Sequence, residues 1–372
     1  MKKNILKFLI PAASLGVVAM PLVAASCSST KKETPPVQNS VENNTSSQKI
    51  TDELNTAIGL KSNVWNSFSA DKVAQSLQTY RHAKLLFDKM VSQDSISISH
   101  VTVTNDAVSI TAPEASKYIP VVFMDLDETV LDNFKLQNYF ASKNINYDYT
   151  SWSNFVKAGI SSEVPGSIDF IKYVWSKGGV VMFNSNRKMS EHKAGSFKNL
   201  KELGLEEKYM PDWIWWMKGV DVKNPQPWTT TNGNYNKETR MNTVSNTTFS
   251  INGVEGIRFR VIMKIGDDIS DFNDSFTKAN DVSAKDVIRA INDPNTGYGQ
   301  LFGNSDIANK SVTYDSKTKT WNKQDWSASY VFVPGNQVYG SWIELVNGDK
   351  NINYEEAKTL INSYIWNPDS KR

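Results

Sequence analysis

The stretch VVFMDLDETVLDN, residues 121–133, decides the reading of this chain. Four apolar residues run straight into two aspartates, Asp125 and Asp127, separated by one leucine. Charge at the end of a buried strand is costly unless something there uses it. Working outward, strand 120–126 (IPVVFMD) is followed by a helix over 167–176 that starts after Pro165 and ends at Gly178-Gly179. Strand GVVMFNS at 179–185, a helix over 190–203 closed by Gly204, strand DWIWWM at 212–217 and strand FRVIMKIGD at 259–267 come next. Short apolar strands alternating with helices predict an α/β fold, a parallel sheet covered on both faces. Such sheets bind ligands at the carboxyl ends of their strands, which is where Asp125 and Asp127 fall.

Upstream, Trp65, Phe68, Val73, Leu77, Tyr80, Ala83, Leu86 and Met90 recur at helical steps, predicting a helix or helix pair over 52–91. Residues 95–111 alternate with period two around Asn-Asp and read as a hairpin. Residues 219–258 are rich in Asn, Thr, Pro and Gly and read as an insertion running over the surface. Either segment is placed to form a lid or a homodimer contact. Residues 320–345 read as strand, turn and loop, and 354–365 as a closing helix.

The first 26 residues have a Lys-rich start, an apolar middle and small residues before Cys27, the pattern of a secretory signal peptide. Ala24, Ala25, Ser26 and Cys27 resemble a bacterial lipobox, whose cysteine is lipidated. Cys27 is the only cysteine, so no intramolecular disulfide is available. Residues 27–50 are polar and Pro-containing and read as a flexible tether, leaving 51–372 as the folded domain. The expected location is the outer face of the cell membrane, lipid-anchored. The 41 basic residues nearly balance the 39 acidic ones, which argues against a nucleic-acid partner.

Three strand ends carry polar groups: Asp125, Asp127 and Thr129; Ser185, Asn186 and Arg187; Asp267, Asp268 and Asp271. Carboxylates gathered on one sheet edge repel one another unless a cation sits among them. Oxygen-only donors suit Mg²⁺ better than zinc, and none of the three histidines (His82, His100, His192) lies in these motifs. A carboxylate can be a nucleophile toward a phosphoryl group, and a second one two residues on can serve as general acid and base. Lys218, and Lys237 with Arg240 three residues on, are both candidates for the cation that offsets phosphoryl charge.

These residues resemble the haloacid dehalogenase superfamily and, within it, the class C acid phosphatases, surface lipoproteins acting as 5′-nucleotidases and broad phosphomonoesterases. DLDETVLDN resembles the family's first motif, VMFNSNRK its second, NKETR its Lys-x-x-Arg motif, KIGDDISDF its GDNxxDF and PGNQVYGSW a late PNxxYGxW element. The resemblance implies a Rossmannoid parallel sheet with a small helical cap and an N-terminal helical segment. It implies Asp125 as the nucleophile and Asp127 as general acid and base. Thr129, Ser185, Asn186, Lys237 and Arg240 would bind phosphate. Asp125, Asp127, Asp267 and Asp271 would hold Mg²⁺, Asp127 through its carbonyl and Asp271 through support of the metal shell. An aromatic pair, Tyr147 and Tyr339, would sandwich the base of a nucleoside monophosphate. Departures are Ser185 for the usual Thr, Asp268 for Asn, an extra glycine in PGNQVYG and about sixteen extra residues before Lys237. The alternative is a lipoprotein that keeps the fold for binding or adhesion without the chemistry.

Overall fold

The computed structural model describes residues 49, 60–143, 145, 147–223, 235–273, 284–315, 318 and 320–335. The signal peptide with Cys27, nearly all of the tether, Tyr339 and the 354–365 helix lie outside these residues. Among the described residues 60–68 are helical (α1), and helix α2 (Ala70–Met90) follows. Ser69 breaks the two because its side chain accepts the backbone N–H groups of Asp71 and Lys72, an N-cap. On α2 the helical spacing is obeyed by Tyr80, Ala83, Leu86 and Met90, all buried, whereas Val73, like Phe68 on α1, faces solvent. A hairpin of β1 (Val101–Val103) and β2 (Val108–Ile110) follows, within the alternating stretch.

Strand β3 (Ile119–Met124) is buried at every position. After it come β4 (Leu131–Asp132), helix α3 (Phe134–Lys143), helix α4 (Tyr149–Ala158), β5 (Ser162–Glu163) and helix α5 (Ser167–Ser176). Helices α3 and α4 share a small apolar cluster of Leu136, Phe140 and Phe155, with Trp152 against it. Strand β6 (Val180–Phe183) and helix α6 (Met189–Glu202) continue the alternation. Gly195 on α6 lets α4 lie against it at backbone contact, since a Cβ there would meet the Val156 carbonyl at 2.3 Å. Helix α7 (Lys237–Asn246) leads into β7 (Thr248–Ile251) and β8 (Val254–Gly266). Helix α8 (Ala284–Asn292), β9 (Lys310–Asp315), β10 (Thr320–Ser327) and β11 (Ser329–Phe332) complete the described chain.

The central sheet has the order β11-β8-β3-β6, all parallel, with β7 antiparallel to β8. Helices flank it: α2 and α5 pack together, and α7 packs on β8. Valine, isoleucine, phenylalanine and methionine fill the strands because both faces are covered.

Two sequence expectations are corrected. Residues 212–217 do not form a strand: Asp212–Ile214 is a 3-10 turn, and pairing shrinks to one bridge, Phe183 with Trp215. Three tryptophans here enter different parts of the core. Trp213 stacks on Phe259 at 5.8 Å, Trp215 packs on Phe183 at 5.1 Å and Trp216 meets Phe123 edge-on at 6.3 Å. Strand alternation would place Trp213 and Trp215 on one face and Trp216 on the other; here all three are buried. The second correction concerns 219–258. Far from being only a surface excursion, it supplies α7, β7 and the start of β8, with Met241, Val244, Phe249, Ile251 and Ile257 in the core.

Candidate active site

Asp125 follows the last residue of β3, where its N–H donates to the Ile265 carbonyl at 3.0 Å. Asp267 stands at the same end of the neighbouring β8. The next turn is capped by Asp268, and Asp271 closes a capping box by accepting the N–H groups of Asp267 and Asp268, both at 3.1 Å, on Oδ2. Gly266 makes this possible, because a Cβ there would lie 2.3 Å from the Asp271 carboxylate. Two neighbouring strand ends therefore bring Asp125, Asp267 and Asp271 together, their carboxylate oxygens all within 4.8 Å of one another and all three residues buried.

Lys237 is the cation among them. From the first turn of α7 its Nζ donates to Asp125 Oδ1 and Asp271 Oδ1, both at 2.5 Å, with only 3 % of the residue exposed. Lys218 instead uses its backbone: its N–H reaches the carbonyls of Ser185 and Arg187. Burial pushes the Asp125, Asp267 and Asp271 carboxyls up, and nearby carboxylates add to it, Asp127 beside Asp125, Asp271 beside Asp267 and Asp125 beside Asp271; Asp271 rises to about 7 despite Lys237. For Lys237 burial disfavours the charge, but the two carboxylates outweigh it and raise its pKa. One ammonium among three buried carboxylates leaves excess negative charge. The all-oxygen donor set thus fits a hard divalent cation held by Asp125 and Asp267, with Asp271 alongside.

Asp127 faces a different partner. Arg187, fully buried, grips it from Nη2 at 2.7 Å and from Nε at 3.1 Å, and Asn133 Nδ2 donates to it at 2.7 Å. Burial alone would push Asp127 up, but the Arg187 guanidinium holds its carboxyl below the ordinary value. Thr129 Oγ1 donates to Asp267 at 3.1 Å, so it braces the carboxylate cluster. Ser185 Oγ accepts the Arg187 N–H at 3.2 Å. Arg240, expected at the phosphate, is fully buried and grips backbone: Nη1 donates to the carbonyls of Ser185 at 2.6 Å and Trp216 at 2.9 Å, and Nη2 to Asn186 Oδ1 at 3.1 Å. This geometry ties Arg240 to the loop that carries Ser185 and Asn186. Tyr147 is 60 % exposed, edge-on to Phe140 at 6.3 Å, and its phenol is raised by burial, by Tyr149 and by the charge of Asp127.

The sequence reading did not assign Asn133 and Glu128, and it placed Arg187 only nearby. All three brace Asp127 or its turn. Glu128 sits at a left-handed φ of 56°, buried, and accepts the Asn133 N–H at 2.9 Å. Asn133 could have been found, since it closes the same quoted motif.

A family model described as HAD superfamily, subfamily IIIB (Acid phosphatase) matches residues 37–301. The chain belongs to this family. It is an acid phosphatase of that subfamily and hence a phosphoric monoester hydrolase. Two solved structures of the class C acid phosphatase from Bacillus anthracis share the fold. One, with tungstate bound, is 22% identical and superposes with a TM-score of 0.55, covering 86% of this chain and 100% of that one. The other is 23% identical, with the same score and coverage.

In this acid phosphatase, His192 ties the α4 helix to the core. Its Nδ1 accepts the Lys188 N–H at 3.0 Å and its Nε2 meets Ser153 Oγ at 2.9 Å, so the ring is neutral with the proton on Nε2. Burial lowers its pKa from 6.5 to about 4. The unfolded chain takes up a proton at this position as pH drops below about 6.5 while the native chain refuses it until about 4. Stability is therefore present in full above 6.5 and declines across that window. His192→Gln should remove about 2–3 kcal/mol of the acid-side loss. Denaturant midpoints of both proteins at pH 7 and pH 4 check this; parallel curves would refute it.

Proposed function

We propose that this acid phosphatase hydrolyses phosphomonoesters, nucleoside monophosphates among them, through an aspartyl-phosphate on Asp125 with Mg²⁺ as cofactor, at the outer membrane face on a lipid carried by Cys27. The observation that supports it most is the buried Asp125 carboxylate, held by Lys237 beside Asp267 and Asp271 at the mouth of β3. Asp125, Asp267 and the Asp271 side chain would hold the metal, which when bound neutralises the carboxylates and the phosphoryl oxygens.

Asp125 attacks phosphorus; the P–O bond to the ester breaks, and the departing alkoxide takes a proton from Asp127. Water then attacks the phosphoaspartate, gives its proton to Asp127, and phosphate leaves as the P–O bond to Asp125 breaks. The Arg187 pairing holds Asp127 ionised, the form that accepts a proton from water. To serve the leaving group, the Asp127 carboxylate must first turn from Arg187 and take up a proton from solvent; it hands this proton to the alkoxide and regains one from the attacking water. Ser185 Oγ and Lys237 stand ready for the phosphoryl oxygens, and Tyr147 offers a ring to a base.

A phosphomonoester panel run with and without chelator tests this. Activity should vanish on chelation and return with Mg²⁺. Tyr147→Ala should raise KM for a nucleoside monophosphate about tenfold and leave glycerol phosphate unchanged. Full activity in chelator would overturn the cofactor reading, and an unchanged KM the nucleotide one.

A further inference from the structure

The opposite end of the sheet holds a polar cavity of about 460 Å³. Tyr118, just ahead of β3, Arg258 and Arg260 on β8, and Lys323 and Trp326 on β10 line it. Arg260 lies seven positions before Asp267 on the same chain segment, roughly 23 Å away at strand rise. This cavity is not part of the catalytic centre.

Arg260 is an unusual occupant of its wall. Only 5 % of it is exposed, and its guanidinium is sandwiched, 3.7 Å from the Tyr118 ring centre and 4.1 Å from that of Trp326. Nη1 donates to the Ser245 carbonyl at 3.2 Å, while the buried Nε–H has no hydrogen-bond partner among the described residues. A buried, unmatched donor on a charged group is expensive. Around it Arg258 and Lys323 add positive charge against a single carboxylate, Asp325, so the lining carries a net charge of two positive units. Burial, the largest influence, and the Arg258 charge lower the Arg260 pKa even with Asp325 near, the mark of a cation short of counter-charge. Both faces of the guanidinium are covered, so an aromatic ligand cannot stack on it. Only in-plane donors remain, and these suit an oxyanion.

We propose that this cavity is a second anion site, which takes a small divalent oxyanion of the phosphate or phosphate-ester class on Arg260 and Lys323, with Arg258, whose Nη groups hold the carbonyls of Pro113, Glu114 and Ala115, adding positive charge. The hydroxyls of Thr247 and Thr248, which also line it, supply further donors.

Calorimetric titration of the full chain with orthophosphate tests the site. Two equivalents should bind. Lys323→Glu, at an exposed position, should weaken one of them at least tenfold while p-nitrophenyl phosphate hydrolysis stays unchanged. Arg260→Lys should do the same, and because Lys323→Glu disturbs no packing, a misfolded Arg260 variant does not blunt the test. Crystals soaked in selenate should show an anomalous peak beside Arg260 as well as at the aspartates. Titration with a non-hydrolysable phosphonate separates the sources: tighter binding than orthophosphate marks an ester as the occupant, weaker binding marks free phosphate, and either supports the site. A single equivalent in the unaltered chain, or a second one indifferent to both substitutions, overturns it.

Discussion

Asp125→Asn is expected to lower kcat/KM for p-nitrophenyl phosphate by at least about 10⁴-fold, because an amide cannot form the acyl phosphate that divides the reaction into two easier steps. The substitution is isosteric and removes one of three carboxylates crowded within 4.8 Å. In the absence of metal the variant should therefore melt no lower than the parent, since like-charge repulsion among buried acids is relieved. The two readouts together separate loss of chemistry from loss of fold. Activity within tenfold of the parent, in a protein with unchanged melting, would remove Asp125 from the nucleophile's role.

Lys237→Met should be the most destabilising single change at the site. It leaves Asp125 and Asp271 facing each other in the interior without the ammonium that each now meets at 2.5 Å. Removing one partner of a buried ion pair costs about 3–5 kcal/mol, mostly because the other charge stays buried alone. Urea unfolding without divalent metal measures it. The double variant Lys237→Met/Asp125→Asn should recover part of the loss, because charge then leaves the interior in opposite pairs. A midpoint for Lys237→Met equal to the parent's would mean that the ammonium carries no such load. Phosphatase activity should fall as well, since Lys237 is the only cation that an ion pair joins to the Asp125 carboxylate among the described residues.

The parts of this molecule that could be read in the sequence share one trait: apolar run and charge lie side by side. VVFMDLD announces a buried strand and its functional end within seven residues, and KIGDD does the same for β8. Helix α7 escaped notice for the opposite reason. Its sequence, KETRMNTVSN, shows little apolar periodicity, because the groups that it buries include Lys237, Glu238 and Arg240. A charged residue in the interior is legible only from its partners, and these lie far off in sequence, Asp125 being 112 positions from Lys237 and Ser185 55 from Arg240. The Arg187–Asp127 pairing spans sixty positions and carries no local signature. DWIWWM misled because hydrophobic content predicts burial, while the irregular backbone that buries consecutive indoles is set by the neighbours, Phe123, Phe183 and Phe259.

Lys237 and Arg240 leave α7 one turn apart, the first toward the acidic wall of the site and the second onto the backbone of Ser185 at the facing wall. A single stiff rod thus acts as a gauge block between the two walls. Helical rise, about 1.5 Å per residue, sets their separation. The chain entering this rod can be lengthened or trimmed without retuning the gap.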